Sequence, residues 1–335
     1  MRADLAVIGF GSVGRRFATL LDELGDRLAR DWDLSCRIIG TATKRGGPPA
    51  LDLIERLRQS DAPMRVMVET TTLNIANGQP AIDHVHAAFA AGCHVVTANK
   101  GPVAFAYADL AAAAAAARVS FRFEGAVMDG IPIFNLVRET MNGVEIRGFR
   151  GIVNTTTNHI ISALEAGEAF APALARMQHE GIAEADPSLD VDGWDAAAKT
   201  AALANVLMDA RITPHDVDRC GIGETTAAAA RAAVARGMRL RLVASAQRDA
   251  AGRLHAGVKP VELPREDLLA HISGTANALI FQTDLLGDVA VCQLGGDVTQ
   301  TAYALVSDLI AIRRQQALRA AVPDGNLSPS GRRFA

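Results

Sequence analysis

The chain has 335 residues, 49% of them hydrophobic and 21% charged, with a formal net charge of −3. That length exceeds one compact core and points to two domains, while the balance of residue types excludes a disordered chain. No run of Lys or Arg could follow a phosphate backbone, so nucleic acid is excluded as a partner and a small molecule is expected.

Residues 4–8 (DLAVI) read as a buried strand, and Gly9-Phe10-Gly11-Ser12-Val13-Gly14 opens an amphipathic helix running to about Leu28. Further strands are predicted at 36–40, 65–69, 94–97 and 120–124, with helices at about 80–91 and 105–118 between them. Strands alternating with helices imply right-handed βαβ units and a parallel sheet. After Gly130-Ile131-Pro132 the pattern changes to helices near 132–142, 157–166, 195–209 and 224–236, and strands near 147–153, 239–246 and 254–259. The expected architecture is α/β: a Rossmann-type parallel-sheet domain over 1–135 plus a returning helix at about 299–318, and an α+β substrate and dimerisation domain over 136–298. The polar, Gly/Pro/Ser-rich tail over 319–335 is expected to be mobile.

Cys36, Cys93, Cys220 and Cys292 form no C-x-x-C pair, so reduced, buried thiols are expected and neither a disulfide framework nor a zinc site. The start of the chain lacks a signal-peptide pattern, and no segment reaches the ~18 apolar residues of a membrane span. A cytoplasmic protein without a membrane partner is the expectation. His84 and His86, two residues apart on a predicted helix, do not face each other and are not read as metal ligands.

Three clusters carry chemistry. In the first, Gly9 permits a tight turn, Gly11 lets backbone approach a pyrophosphate, Gly14 allows close packing, and Ser12 and Val13 lie at the helix N-terminus with its unpaired N–H donors. About twenty residues beyond the glycines, where NAD-specific folds place a carboxylate, this chain has Thr41-Ala42-Thr43-Lys44-Arg45. Thr43, Lys44 and Arg45 suit a 2′-phosphate, so NADP(H) is expected to be preferred over NAD(H); an exposed basic turn is the alternative. Thr70 and Thr71, after the strand ending at Glu69, read either as ribose or phosphate contacts or as a capped helix start.

The second cluster is Thr97-Ala98-Asn99-Lys100-Gly101-Pro102, at the C-terminal end of a predicted strand, where Thr97, Asn99 and Lys100 would face the nicotinamide end of a cofactor. A solvated turn ending in Gly-Pro is the alternative. Of 34 basic residues only Lys44, Lys100, Lys199 and Lys259 are lysine, and a Lys can lose its proton where an Arg cannot. The third cluster runs from Glu184 to Lys199 and includes Asp186, Asp190, Asp192 and Asp195, carboxylates expected to gather around a cation such as an amino-acid ammonium group. A calcium loop fits poorly, because the third acidic ligand before Gly193 and the closing Glu are missing. Asp195 and Lys199 lie one helical turn apart, which by itself is also the spacing of a surface salt bridge.

In this order the motifs resemble homoserine dehydrogenases, with Glu124-Gly125-Ala126-Val127, Gly130-Ile131-Pro132 and Gly151-Ile152-Val153-Asn154 completing the match over about residues 4–312. The resemblance implies NAD(P)-dependent interconversion of L-homoserine and L-aspartate 4-semialdehyde, in the threonine and methionine branch of amino-acid biosynthesis, by a homodimer lacking the ACT regulatory domain of longer members. It makes Lys100, Lys199 and Asp195 catalytic, Glu184 and Asp190 substrate-binding, and Asn99 and Lys100 part of the cofactor site. It also implies a sodium ion held by Glu124 and by the carbonyls of Val127, Asp129 and Ile131. Two stretches depart from the family: Asn154-Thr155-Thr156 replaces Asn-Gly-Thr, and Gly295-Gly296-Asp297 replaces Gly-Ala-Gly. The added bulk leaves open a paralogue acting on another small hydroxy amino acid or semialdehyde, and loss of the reaction altogether would leave a nucleotide sensor.

Overall fold

The computed structural model describes residues 1–44, 46–180, 183–184 and 186–321. Arg45, Ala185 and the tail from residue 322 lie outside the described residues. The chain divides into two units, Met1–Thr140 together with the chain from Asp297, and Met141–Gly296.

The first unit follows the order β1 (Arg2–Ile8), α1 (Ser12–Trp32), β2 (Ser35–Ala42), α2 (Ala50–Arg58), β3 (Met64–Glu69), α3 (Ala81–Ala90), β4 (His94–Thr97), α4 (Lys100–Ala116), β5 (Phe121–Arg122) and α5 (Phe134–Thr140). Its five strands are parallel in the order β2-β1-β3-β4-β5. The order reverses at β1, so the C-terminal ends of β1 and β3 form the switch point at which open α/β sheets hold ligands. Alternate residues Ala3, Leu5 and Val7 of β1 face a core shared with Phe17, Leu20 and Leu21 of α1. Each large side chain buried there contributes roughly 1.5–3 kcal/mol.

The second unit runs β6 (Ile146–Ile152), α6 (Thr155–Glu165), α7 (Phe170–His179), α8 (Ser188–Val191), α9 (Trp194–Leu207), β7 (Asp218–Arg219), α10 (Glu224–Ala235), β8 (Arg239–Arg248), β9 (Leu254–Leu263), β10 (Asn277–Thr283) and β11 (Asp288–Gln293). The sheet order is β11-β10-β6-β8-β9-β7, antiparallel except where β7 pairs with β9. Helices α6, α9 and α10 pack on it. Ile152, Val243 and Ile280 are buried with Leu269 and Ile272 from the segment following β9, while β9 leaves His255, Lys259 and Val261 exposed.

The closing helix α11 (Val298–Ala321) returns to the first unit, where Leu305, Leu309 and Ile312 complete the core beside α1. Just ahead of it stands Asp297, whose Oδ1 accepts from Thr299 N at 2.6 Å, while Gln300 Oε1 accepts from Asp297 N at 2.7 Å. These reciprocal bonds cap the start of the helix and give the Asp that departs from the family pattern a structural role. The helix extends to Ala321, past the expected end near 318. Of the cysteines only Cys93 is buried; Cys220 and Cys292 are exposed, against expectation, and all four are unpaired. Among the described residues no helix is long and apolar enough to cross a membrane.

Candidate active site

The residues singled out fall into two groups, one on each unit. On the first unit the chain leaves β1 at Gly9 with φ +89, a conformation suited to glycine. A Cβ there would lie 2.5 Å from the Thr70 carbonyl carbon, because Thr70 N donates to Ile8 O at 2.8 Å and draws the loop after β3 against the glycine turn. A Cβ on Gly14 would lie 2.6 Å from Gly9 O, so the third glycine allows the helix to pack against the turn itself. Around Gly11, by contrast, the space where a Cβ would go is open to 4 Å. Gly11 caps α1 without a side-chain acceptor and Ser12 is exposed, leaving the N-terminal donors of a 21-residue helix turned to open space beside Val13. That is the cradle a dinucleotide pyrophosphate needs.

After β2 the chain makes a turn in which Thr43 N donates to Gly46 O at 2.9 Å, and Thr43 and Lys44 are exposed on it. The helix start proposed at Thr70–Thr71 does not form; the segment is a loop, and α3 begins only at Ala81. The hydroxyls of both residues are directed into protein, Thr70's to Gly9 O and Thr71's to Glu69.

At the end of β4 the structure corrects a second expectation. Lys100 is already the first residue of α4, five positions before the predicted start, in a leading segment separated from the predicted helix by a kink at Ala106 (φ −142, ψ 20). Asn99 caps the helix, its Oδ1 accepting from Gly101 N at 2.8 Å, and Pro102 falls in the first turn, where it removes no helical hydrogen bond. Thr97 is fully buried and Asn99 nearly so, their side chains turned inward to Glu69, so of the three polar residues only Lys100 is partly exposed. Burial pushes the Glu69 carboxyl up to about 7 against the pull of its hydrogen bonds from Thr71, Thr97 and Asn99. Glu69 was read from the sequence only as the end of a strand; a carboxylate closing an apolar run ahead of three threonines was the available signal.

Glu124, the expected cation ligand, caps α5. Its Oε1 accepts from Ile133 N at 2.5 Å and Phe134 N at 2.9 Å, and its Oε2 from Asn135 N at 2.6 Å. Burial and the neighbouring Asp308 carboxylate push it up. Val127 and Ile131 are buried and Asp129 half-buried, in a loop where Met128, Asp129 and Gly130 have φ of 49, 52 and 97. No group of three or more His, Cys, Asp or Glu suited to a metal occurs among the described residues.

On the second unit, β6 delivers Val153 and Asn154 to the start of α6. Asn154 Oδ1 accepts from Thr157 N at 2.8 Å as the helix cap, and its Nδ2 donates to Asp190 at 2.7 Å and to Asp195 at 2.9 Å. Lys199 Nζ lies 3.0 Å from Asp195 Oδ2 and donates to Val153 O at 2.7 Å. The Lys199 side chain is only 10% exposed, which removes the reading of this pair as a surface salt bridge. Burial, and next the Asp195 charge, push the Asp190 carboxyl up; Asn154, Lys199 and Thr156 pull it back. Within this cluster two carboxylates meet one ammonium, which leaves a carboxylate charge without a cation of its own inside the cluster.

The rest of the acidic segment does not converge. Glu184 is exposed, and only its carbonyl is engaged, accepting from Gln178 Nε2 at 3.1 Å; its carboxylate makes no hydrogen bond among the described residues. Asp186 caps Ser188 N at 3.1 Å, and Asp192 offers its carbonyl to Arg219. The expected gathering of five carboxylates is therefore a pair, Asp190 and Asp195, joined by an asparagine whose bridging role the sequence reading missed. Thr155, in place of the family's glycine, accepts from the amide of buried Asn277 at 3.1 Å.

Two family models match the chain, that of the homoserine dehydrogenase NAD-binding domain over residues 9–124 and that of homoserine dehydrogenase over 132–310. Among relatives, the NAD(+)-dependent homoserine dehydrogenase of Pseudomonas canavaninivorans is 35% identical, with 92% of this chain and 96% of the relative covered. The homoserine dehydrogenase of Methanocaldococcus jannaschii is 34% identical over 92% of this chain and 98% of its own. Of solved structures, a homoserine dehydrogenase from Thiobacillus denitrificans superposes with a TM-score of 0.87 at 29% identity, over 100% of this chain and 78% of that one. A second, described as a putative homoserine dehydrogenase from Archaeoglobus fulgidus, superposes with a TM-score of 0.81 at 30% identity, over 93% of this chain and 99% of that one. With both units matched and the glycine cradle and the Asp190–Asp195–Lys199 cluster in place, the chain belongs to the homoserine dehydrogenase family.

Proposed function

We propose that this chain interconverts L-homoserine and L-aspartate 4-semialdehyde, in the threonine and methionine branch of amino-acid biosynthesis and in the cytoplasm. The observation that carries the reading is the cluster in which Asn154 bridges Asp190 and Asp195 while Lys199 pairs with Asp195. The reaction needs a cofactor-binding group and a substrate-binding group, and each unit supplies one. When bound, the nicotinamide supplies the acceptor or donor of hydride for C4 of the substrate. Asp190 and Asp195 hold the substrate ammonium group, and Glu184 is assigned to substrate binding with them. Lys100 and Lys199 are assigned to the hydroxyl proton, Asp195 orienting Lys199. Oxidation requires a neutral amine as acceptor, and lysine side chains are mostly protonated at neutrality, so homoserine oxidation should accelerate with pH. NAD(P)H absorbance with homoserine from roughly pH 7 to 10 tests this; a flat profile counts against a lysine base.

NADP(H) is the preferred cofactor in this reading, although one relative is named for NAD(+). What supports the preference is the absence of a carboxylate in Thr41-Ala42-Thr43-Lys44-Arg45 and the exposure of Lys44 on its turn. Equal dissociation constants for the two cofactors would refute it. A sodium ion is proposed at Glu124 and the carbonyls of Val127, Asp129 and Ile131. A carboxylate has about four acceptor sites and three amides occupy Glu124, so one remains, and a cation would ease its repulsion with Asp308. Equal melting temperatures in sodium and choline chloride would argue against it. A homodimer is proposed through the sheet face on which β9 exposes His255, Lys259 and Val261. A monomeric mass by light scattering at micromolar concentration would overturn that.

A further inference from the structure

The reaction just proposed makes no use of Glu69, yet this carboxylate is 0% exposed and closes β3 at the ligand edge of the sheet. Besides the Asn99 amide, which also lowers its carboxyl, two threonines reach it: Thr71 N at 3.0 Å and the Thr71 hydroxyl on Oε1, and the Thr97 hydroxyl at 3.1 Å on Oε2. The direction of both hydroxyl protons follows from the other bonds those hydroxyls make. Thr71 Oγ1 accepts from Asn99 Nδ2 at 3.2 Å, and Thr97 Oγ1 accepts from Asn99 N at 2.9 Å. A hydroxyl has one proton, and neither of these N–H groups can accept it; the Thr97 hydroxyl has one other acceptor, Asn99 O, but at 3.4 Å against 3.1 Å to Glu69, so the carboxylate is the nearer acceptor for both protons. Two chains therefore run from Asn99 through a threonine to opposite oxygens of one carboxylate.

The remaining polar atom of the Asn99 side chain, Oδ1, holds Gly101 N at the first turn of α4. Both the peptide N–H and the side-chain amide of Asn99 are thus referenced to Glu69, and Lys100 is the next residue, the first of the helix. A neutral amide at position 69 accepts at one position only and donates at the other, so one threonine hydroxyl must turn its proton away and the charge-assisted bond from that hydroxyl to the carboxylate is lost.

We infer that Glu69 is a positioning residue for Lys100, fixing the start of α4 through Thr71, Thr97 and Asn99. The inference rests on the reading of Lys100 as an active-site residue. Glu69 lies on the cofactor unit, whereas Asp190 and Asp195 lie on the other, so its loss should act on turnover and not on substrate affinity.

The test compares the full chain with Glu69→Gln, Thr97→Val and the double variant, on the alkaline side of neutrality. Glu69→Gln is expected to lower kcat for homoserine oxidation about tenfold or more, with the homoserine KM within about twofold. Because both changes cut the same chain, the double variant should lose no more than the worse single one. Unchanged kcat, a loss confined to KM, or losses that multiply would overturn the inference. Should Glu69→Gln not fold, Thr97→Val carries the test by the same kcat and KM criteria. Hydrogen–deuterium exchange over residues 97–103, without substrate, provides a readout independent of the reaction. Gly101 N–H is expected to exchange about tenfold faster in Glu69→Gln, and unchanged exchange would refute the positioning role. A parent protein that binds cofactor without oxidising homoserine would instead overturn the proposed reaction, with exchange at Gly101 still deciding the role of Glu69.

Discussion

Replacing Asn154 by Ser separates two jobs that one side chain performs. Ser caps a helix about as well as Asn, so α6 should keep its N-terminus, but a Ser hydroxyl cannot donate to both Asp190 and Asp195. Each hydrogen bond to a charged acceptor is worth roughly 1.5–3 kcal/mol, giving an upper limit of about 6 kcal/mol for the bridge. Water recovers part of this, since the Asp195 side chain is 15% exposed, and a net loss of about 2 kcal/mol is the working figure. If it falls on substrate binding and turnover, kcat/KM for homoserine drops about 30-fold. The Asp190 carboxyl, already raised by burial and by Asp195, rises further once its donor is gone. Ionised Asp190 is the form that binds an ammonium group, so the acidic limb of kcat/KM should move to higher pH in the variant. Initial rates from NAD(P)H absorbance across pH, with a melting curve for each protein, make the measurement. A kcat/KM within twofold of the parent and an unmoved acidic limb would refute the reasoning.

Lys199→Arg should retain the fold by circular dichroism yet lose turnover by about 10²–10⁴, because a guanidinium cannot act as the base; near-normal turnover would sink the assignment. Gly14→Ala forces a Cβ to within 2.6 Å of Gly9 O, and the strain, about 1–3 kcal/mol, should appear as a cofactor dissociation constant raised tenfold or more by fluorescence titration. An unchanged constant would mean that the turn does not shape the cofactor site. Thr155→Gly leaves the buried Asn277 amide without its hydroxyl partner, a cost of about 1–3 kcal/mol that lowers the melting temperature by several degrees. If that variant also leaves the homoserine KM unchanged, the departure from the family's glycine is structural and not a matter of substrate choice. Lys44→Ala combined with Arg45→Ala should remove most of the difference between NADP(H) and NAD(H) binding, read from the two dissociation constants; a preserved preference would place its origin elsewhere.

The parts of the fold legible in the sequence are those in which local pattern and burial agree. The run from Asp4 to Ile8 followed by glycines at 9, 11 and 14 has one reading, and β1 and α1 follow it, α1 continuing to Trp32. Hairpin β10–β11 went unread, although Asn277–Thr283 carries an apolar run, because its pairing with β6 joins residues far apart in the chain. Helix α2 was also missed, behind Gly46-Gly47-Pro48-Pro49, which reads only as a break. At the candidate site, residue types were legible and directions were not. Thr97 and Asn99 look like ligands at a strand end, yet a buried carboxylate thirty positions or so earlier turns both inward. Composition likewise suggested five converging carboxylates, whereas the short helix α8 and the glycine after Asp192 select only Asp190 to meet Asp195.

The return of α11 to the first unit sets a condition on how the protein can be made. Leu305, Leu309 and Ile312 belong to the same core as Leu5, Val7 and Phe17, so the unit that carries the glycine turn cannot close until α11 has left the ribosome. The unit Met141–Gly296, by contrast, is continuous and emerges whole while the earlier one still lacks a helix. Domains generally fold as they are synthesised, N-terminal first. Here the expected order is inverted: β1 and α1, translated ahead of Met141–Gly296, reach their native packing after it, and a nascent chain arrested near Gly296 should expose the apolar face of α1 to chaperones.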